Sequence, residues 1–320
     1  MGWKILLPQD ILADGRKYLE ERGHELIMAT GLDVESICRD IKGIDAMIVR
    51  TAKIPAKVIE AADKLKVIVR HGAGYDTVDL EAAKKKGIKV LYCPHANSVS
   101  VAETVLFNML YCSRNYNVVR REYIDNYYDA KMKTPKYELE GKILGLISCG
   151  RIGSIVAEKC MKGFNMKVLA WDPYKPEDSF PEGVKVVKDK DIIFKEADFI
   201  SIHSPLTSET KEFIGKREFE MMKPTAFLIN TSRGMVINEK DLYEACKNNI
   251  IAGAGLDVLQ EEPVNKNNPI LYLDNVVVSP HIGAATKEAS ARASLHAAQG
   301  IHEVYEGKKP TWPVPGFENI

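Results

Sequence analysis

The sequence has no net charge: 44 lysines and arginines are balanced by 44 aspartates and glutamates over 320 residues. Without a field of one sign, nothing draws the chain toward nucleic acid or an anionic membrane surface, and small-molecule chemistry becomes the default. Long apolar runs are also missing. No stretch approaches the roughly 20 uninterrupted apolar residues of a membrane span, and the first run, Ile5-Leu6-Leu7, is far too short for a signal sequence. A soluble, cytoplasmic protein that binds neither membrane nor nucleic acid is expected. Cysteine is sparse. Cys38, Cys93, Cys112, Cys149, Cys160 and Cys246 are scattered without a C-x-x-C pair, which argues against a zinc site or any other metal centre and against a disulfide framework. They read as reduced thiols, mostly in the core. There is no short fixed-period repeat and no low-complexity tract.

What is present is alternation. At 320 residues the chain suits about two domains. Short apolar runs at Lys4–Leu7, Glu25–Met28, Ala46–Val49, Val67–Val69 and Val90–Tyr92 are separated by amphipathic, helix-like segments. A second series follows Gly141, at Ile143–Ile147, Lys167–Trp171, Phe199–Ile202, Ala226–Ile229, Ala252–Leu256 and Val276–Val278. Such alternation marks β-α-β units around parallel sheets. Between the series, Val101, Val105, Met109 and Cys112 recur at helical spacing of four, four and three residues and predict one long helix over 98–121. Another long helix, over 286–306, carries Ala291, Leu295 and Ala298 on one face and is expected to return to the first domain. The fold expected is α/β: two doubly wound parallel-sheet domains joined by two long helices. Residues 1–99, completed by 287–320, form one, and 100–286 the other.

The run from Leu144 to Gly153 reads as a buried strand, a turn at Ser148-Cys149-Gly150 and the start of a helix, here predicted as Ser154 to Met161. Glycines there let backbone approach a pyrophosphate whose charge is held by helix N-terminal amides. Asp172 follows Gly153 by 19 residues, at the end of the next strand, where a carboxylate bonds ribose hydroxyls and repels a 2′-phosphate. This predicts NAD rather than NADP as cofactor. Ser148 occupies the first glycine position of the usual G-x-G-x-x-G pattern, and a serine with ordinary φ is expected to make the turn. Cys149 reads as a small turn residue.

Three further residues stand where β-favouring runs end. Arg233 follows Ile229-Asn230-Thr231-Ser232, His281 follows Ser279-Pro280, and Glu262 lies in Gln260-Glu261-Glu262-Pro263. A hydride-transfer site needs a cation to hold an anionic carbonyl substrate, an imidazole to move one proton, and a carboxylate to set the imidazole's tautomer. An arginine fork suits a carboxylate and carbonyl oxygen together better than lysine does.

Together these motifs make the chain resemble the D-2-hydroxyacid dehydrogenases of the phosphoglycerate dehydrogenase type over nearly its whole length. The resemblance rests on Gly72-Ala73-Gly74-Tyr75-Asp76, on Asn97 to Glu103, and on Gly150-Arg151-Ile152-Gly153 with Asp172. It continues through Asn230 to Gly234, Gly255-Leu256-Asp257-Val258 with Glu262-Pro263, and Ser279 to Ala284. It implies that 100–286 is a Rossmann NAD-binding domain and the other a flavodoxin-like substrate domain. It implies that Arg233 binds substrate, His281 is the acid/base and Glu262 hydrogen-bonds His281. The expected cofactor set is Gly150, Arg151, Ile152, Gly153, Asp172, Ser204, Pro205, Thr210, Thr231, Ser232, Asp257, Gly283 and Ala284, with a nicotinamide contact from Arg233 as well. Formate dehydrogenases are similar but pair the histidine with glutamine, and Glu262 speaks against that branch.

Substrate residues are expected at Arg50, Arg70, His71, Gly72, Ala73 and Gly74, where first-domain strands end. Two cations beyond Arg233 suit a second anionic group such as a phosphate. The favoured substrate is therefore 3-phosphoglycerate or a relative such as hydroxypyruvate or glyoxylate, with a D-lactate-like or branched 2-oxo acid as alternative. From a different class, a non-catalytic NAD(H)-sensing binding protein keeps the same fold. Because the sequence stops at Ile320, serine feedback through a C-terminal regulatory extension is not expected. The tyrosines at 116, 123, 127 and 128 suit an interface, and the resemblance implies a homodimer through the cofactor domains.

Overall fold

The computed structural model describes residues 2–132 and 134–320. The chain divides into two compact units: Met1–Ser98 with Ala284–Ile320, and Val99–Gly283.

The first unit is built on strands β1 (Lys4–Leu7), β2 (Glu25–Met28), β3 (Ala46–Val49), β4 (Val67–Arg70) and β5 (Lys89–Tyr92). They alternate with helices α1 (Ala13–Glu20), α2 (Val34–Asp40), α3 (Ala56–Ala61) and α4 (Leu80–Lys85). All pair in parallel, in the order β2-β1-β3-β4-β5, which is a doubly wound flavodoxin-like sheet. The period-2 alternation of side chains feeds two cores. Leu6, Met47, Val49, Ile68 and Val90 pack with Ile37 of α2, Ile41 just past its end, and Ile59 of α3. Ile5, Ile48, Val67, Val69 and Leu91 face the other way, against Leu19 of α1 and residues near the C-terminus of the chain.

The second unit begins with α5 (Ser98–Ser113), α6 (Tyr116–Asp125) and α7 (Tyr127–Met132). The single long helix expected over 98–121 is thus broken: Asn115 takes a left-handed φ of 47° and ends α5. Asparagine tolerates that conformation, and its side chain donates to the Pro135 carbonyl at 2.6 Å. Tyr116, Tyr123, Tyr127 and Tyr128 of α6 and α7 are all exposed. There follow β6 (Ile143–Ile147), α8 (Arg151–Phe164), β7 (Lys167–Trp171), β8 (Val184–Val186), α9 (Lys190–Glu196), β9 (Phe199–Ile202), α10 (Lys216–Met221), β10 (Phe227–Asn230), α11 (Glu239–Lys247), β11 (Gly253–Leu256) and β12 (Val276–Val278). The seven strands run parallel in the order β12-β11-β10-β9-β6-β7-β8, the Rossmann arrangement with one strand added at the β12 edge. β8 was not anticipated; three residues at a sheet edge, none fully buried, give too little pattern to read.

The last helix, α12 (Lys287–Tyr305), starts at the Thr286 cap, whose hydroxyl accepts the Ala289 N–H. Its Ala293, Ala297, Ala298 and Ile301 complete the second core of the first unit. Beyond it, Val314 N–H donates to the Val90 carbonyl and Tyr92 N–H to that of Trp312, so the tail covers the β5 edge. Among the described residues, no helix is long and apolar enough to cross a membrane and no cluster of His, Cys, Asp or Glu is arranged to hold a metal ion.

Candidate active site

In an all-parallel sheet every strand's carboxyl end lies on one edge. The residues singled out in the second unit therefore meet there: 148–150 after β6, Asp172 after β7, 203–210 after β9, 231–233 after β10, Asp257 after β11 and 279–281 after β12.

The turn after β6 leads directly into α8, which starts at Arg151, three residues before the predicted Ser154. Ser148 has φ 68°, so the ordinary φ expected of it is wrong: it takes the left-handed conformation a glycine would take there. Its hydroxyl and that of the buried Ser204 hydrogen-bond at 2.8 Å, and its N–H donates to the Trp171 carbonyl at 2.8 Å. Asp172 braces the turn from the side. Its Oδ2 accepts the Cys149 N–H at 3.0 Å and its Oδ1 the Tyr174 N–H at 3.1 Å. Lys175 donates to the Cys149 carbonyl at 2.7 Å and the Ser154 hydroxyl at 3.1 Å. Burial pushes the Cys149 thiol up, so it is an unreactive packing residue.

This end fits a dinucleotide. No side chain caps α8, and a Cβ at Gly150 would meet nothing within 4 Å, leaving backbone amides open to an anion. At Gly153 a Cβ would lie 3.0 Å from the Ser148 carbonyl oxygen, so a larger residue would press on the turn. On the neighbouring edge, the buried Thr231 hydroxyl has no hydrogen-bond partner among the described residues. Pro205 and Thr210 belong to a self-braced turn in which the Thr210 hydroxyl donates to the Pro205 carbonyl at 2.6 Å. Ile152 is half-buried in the first turn of α8, and Arg151 is exposed.

The second group is held by hydrogen bonds that the sequence does not reveal. Asp257 is almost wholly buried and its carboxylate turns into the 279–283 loop: Oδ1 accepts the Ser279 hydroxyl at 2.5 Å and the Ile282 N–H at 2.9 Å, and Oδ2 the Gly283 N–H at 2.7 Å. A Cβ at Gly283 would come 2.8 Å from Oδ2, so only glycine fits. Ala284 follows where the chain passes to the first unit. His281 sits in the left-handed region at φ 53°, its N–H donating to the Asp257 carbonyl at 2.8 Å. That backbone twist aims the imidazole at the 259–262 loop, where Nδ1 meets Glu262 Oε2 at 2.8 Å.

Burial alone would raise the Glu262 carboxyl, but the hydrogen bond and charge of His281, the Leu259 N–H and the charge of Arg233 together hold it below its ordinary value. The contact with the Glu262 carboxylate, an acceptor only, places a proton on His281 Nδ1 and turns Nε2 away from Glu262. Arg233 is set by Asn230, whose Oδ1 accepts the Ser232 N–H at 3.0 Å and hydroxyl at 2.8 Å, and whose Nδ2 donates to the Arg233 carbonyl at 3.0 Å. Gly234 allows the close approach to the 259–262 loop: a Cβ there would lie 2.0 Å from Leu259 backbone atoms. Asn230 and Ser279 were passed over in the sequence. A polar residue ending an otherwise apolar strand is the signal that could have found Asn230.

In the first unit, Arg50 donates to the Asp10 carbonyl at 2.9 Å and Arg70 to the His71 carbonyl at 2.6 Å. His71 Nε2 lies 2.9 Å from the Ser294 hydroxyl, which accepts the Leu12 N–H at 3.0 Å and so has its proton for the ring. Burial, with the charges of Arg50 and Arg70, lowers the His71 pKa to about 4 and keeps the ring neutral. Gly72, with φ 145°, carries the turn on to Ala73 and Gly74, all half-buried.

The sheet order, the uncapped helix behind a tight turn and the acid at the next strand define a dinucleotide-binding unit. Residues 106–283 match the family model described as D-isomer specific 2-hydroxyacid dehydrogenase, NAD binding domain. The chain belongs to that family, and its second unit carries the family's NAD-binding domain. It is 43% identical over 307 residues to a D-3-phosphoglycerate dehydrogenase of Methanocaldococcus jannaschii, covering 95% of this chain and 58% of the relative, so it spans little more than half that protein's length. It is 41% identical to a hydroxypyruvate reductase of Thermotoga maritima over 84% of this chain and 88% of the relative. The NAD+-bound 3-phosphoglycerate dehydrogenase of Entamoeba histolytica superposes with a TM-score of 0.84 at 29% identity, covering 99% of this chain and 100% of that one.

Proposed function

We propose that the protein is an NAD-dependent oxidoreductase that interconverts a small 2-hydroxy acid and its 2-oxo acid, with 3-phosphoglycerate, hydroxypyruvate or glyoxylate as the substrate class. The observation that carries this reading is the 2.8 Å contact between His281 Nδ1 and Glu262 beside Arg233, on the same sheet edge as the dinucleotide turn.

When bound, NAD supplies the hydride acceptor, or as NADH the donor. Gly150, Gly153 and the first amides of α8 would hold its pyrophosphate, and Asp172 its ribose. Ser204, Pro205, Thr210, Thr231 and Ser232 line the remainder, and Asp257 acts by fixing the loop that carries His281. The Arg233 guanidinium binds the substrate carboxylate and orients the carbonyl oxygen. In oxidation Nε2 of His281 takes the hydroxyl proton, and Glu262 stabilises the imidazolium so formed. In reduction the same nitrogen returns the proton. Positioned transfer of this kind contributes about 10²–10⁴-fold.

In the first unit the proposal assigns substrate binding to Arg50, Arg70, His71 and the 72–74 turn. The two guanidiniums suit a phosphate or second carboxylate, and a neutral His71 adds a hydrogen bond without repelling either cation. Cytoplasmic location fits six unpaired cysteines. A homodimer through the second unit fits the exposed aromatic rings of α6 and α7.

The test is initial rates with NADH, and NADPH as control, on 3-phosphohydroxypyruvate, hydroxypyruvate, glyoxylate, pyruvate and 2-oxoisocaproate. A preference for the phosphorylated acid supports Arg50 and Arg70 as its site. No turnover with any of them refutes the proposal.

A further inference from the structure

β7 and β9 are the two neighbours of β6 in the sheet, so a bond between the loops that follow them passes over the carboxyl end of β6. Such a bond exists. The Tyr174 hydroxyl donates to Glu209 Oε2 at 2.8 Å, joining the loop after β7 to the loop after β9. Both partners stand on braced backbone. The Tyr174 N–H is held by Asp172 Oδ1 at 3.1 Å. Glu209 lies inside the turn in which Thr207 N–H donates to the Thr210 hydroxyl at 2.8 Å and Lys211 N–H to the Thr207 carbonyl at 3.0 Å.

We propose that the Tyr174–Glu209 bond is a clasp across the adenosine end of the cofactor site, which must open for the dinucleotide to enter or leave. This rests on the reading of the 148–153 turn as the pyrophosphate site. With pyrophosphate on that turn and ribose on Asp172, the adenosine would lie on the β7 side of β6. Tyr174 is two residues past Asp172 and shares its carboxylate, so the group that orders the ribose also orders the clasp. The ring of Tyr174 is exposed for most of its surface, and nothing buried in the core requires its hydroxyl to face Glu209. Tyr174 and Glu209 are therefore positioning residues for cofactor exchange, remote from the proton-transfer pair His281–Glu262.

Stopped-flow fluorescence of NADH binding to the full chain tests this without turnover. Tyr174→Phe keeps the ring and removes the donor, and Glu209→Ala removes the acceptor. Each is expected to raise both the association and the dissociation rate of NADH about fivefold, the scale of one modest hydrogen bond. The double variant is expected to match either single one, as for two halves of one interaction. In the cofactor-free protein, amide exchange over 203–212 is expected to rise in both variants. Unchanged rates, or a double variant in which two separate effects multiply, would overturn the clasp while leaving the dehydrogenase reading intact. Failure of the unaltered protein to bind NADH at all would overturn both.

Discussion

Asp257→Asn changes one atom in the support of His281. In the protein, Oδ1 of Asp257 accepts from Ser279 and Ile282 and Oδ2 from Gly283. An asparagine can place its carbonyl oxygen at only one of these positions. With the oxygen at Oδ1, two bonds survive as neutral ones, losing about 1 kcal/mol each. The amide nitrogen then faces the Gly283 N–H, and a buried donor left without an acceptor costs about 1–3 kcal/mol. The total is about 3–5 kcal/mol on the second unit. The flipped amide is worse, because it strands two donors. Since the loop holds His281 in its left-handed conformation, a displacement approaching 1 Å is expected to cost up to about 10²-fold in turnover. Urea unfolding followed by Trp171 fluorescence reads the first effect, and initial rates with NADH read the second. Amide exchange at Ile282 and Gly283 locates the damage. If the Asp257→Asn variant kept its unfolding midpoint, exchange and turnover unchanged, the argument that this carboxylate holds the loop would be refuted.

Further outcomes follow from other contacts. His281→Ala is expected to lower kcat by about 10²–10⁴-fold with NADH affinity retained, whereas Arg233→Lys is expected to raise KM for the oxo acid as well; steady-state kinetics separate the two. Ser148→Gly relieves a left-handed serine but loses its bond to Ser204, so its unfolding free energy should stay within about 1 kcal/mol of the original. Ser148→Ala keeps the strain and orphans the buried Ser204 hydroxyl, and should lose about 1–2 kcal/mol in the same denaturation experiment. His71 has a folded pKa of about 4 against 6.5 in the unfolded chain, so the unfolded state binds more protons between those values. The stability His71 contributes is fully present above pH 6.5 and is lost as pH falls toward 4, by about 3 kcal/mol. Replacing it with glutamine should flatten the pH dependence of unfolding across that window.

Strands buried on both faces wrote themselves plainly into the sequence: Lys4–Leu7, Ala46–Val49 and Ile143–Ile147 are where the apolar runs placed them. Val184–Val186 did not, because an edge strand of three partly exposed residues has no burial to advertise. The broken helix had a similar cause. The helical pattern of Val101, Val105, Met109 and Cys112 is real, but it lapses after Cys112, and Asn115 ends the helix by a local choice of φ. At the site, the ends of the apolar runs placed Asp172 after β7, Arg233 after β10 and His281 after β12, and the structure brings Glu262 to 2.8 Å from His281. What could not be read was direction. That Asp257 points into the 279–283 loop, or that Ser148 adopts a glycine conformation, depends on hydrogen bonds between segments far apart in sequence.

The division of the chain bears on the order in which it folds during synthesis. The second unit is continuous, so it has all its strands before α12 emerges from the ribosome. The first unit does not: until Ala293, Ala297, Ala298 and Ile301 arrive, the face of its sheet carrying Ile5, Ile48, Val67 and Val69 lacks part of its cover. The nascent protein therefore passes through a stage with one finished domain and one half-closed, apolar sheet face waiting for residues made later, and that face is where a chaperone would bind or an aggregate begin.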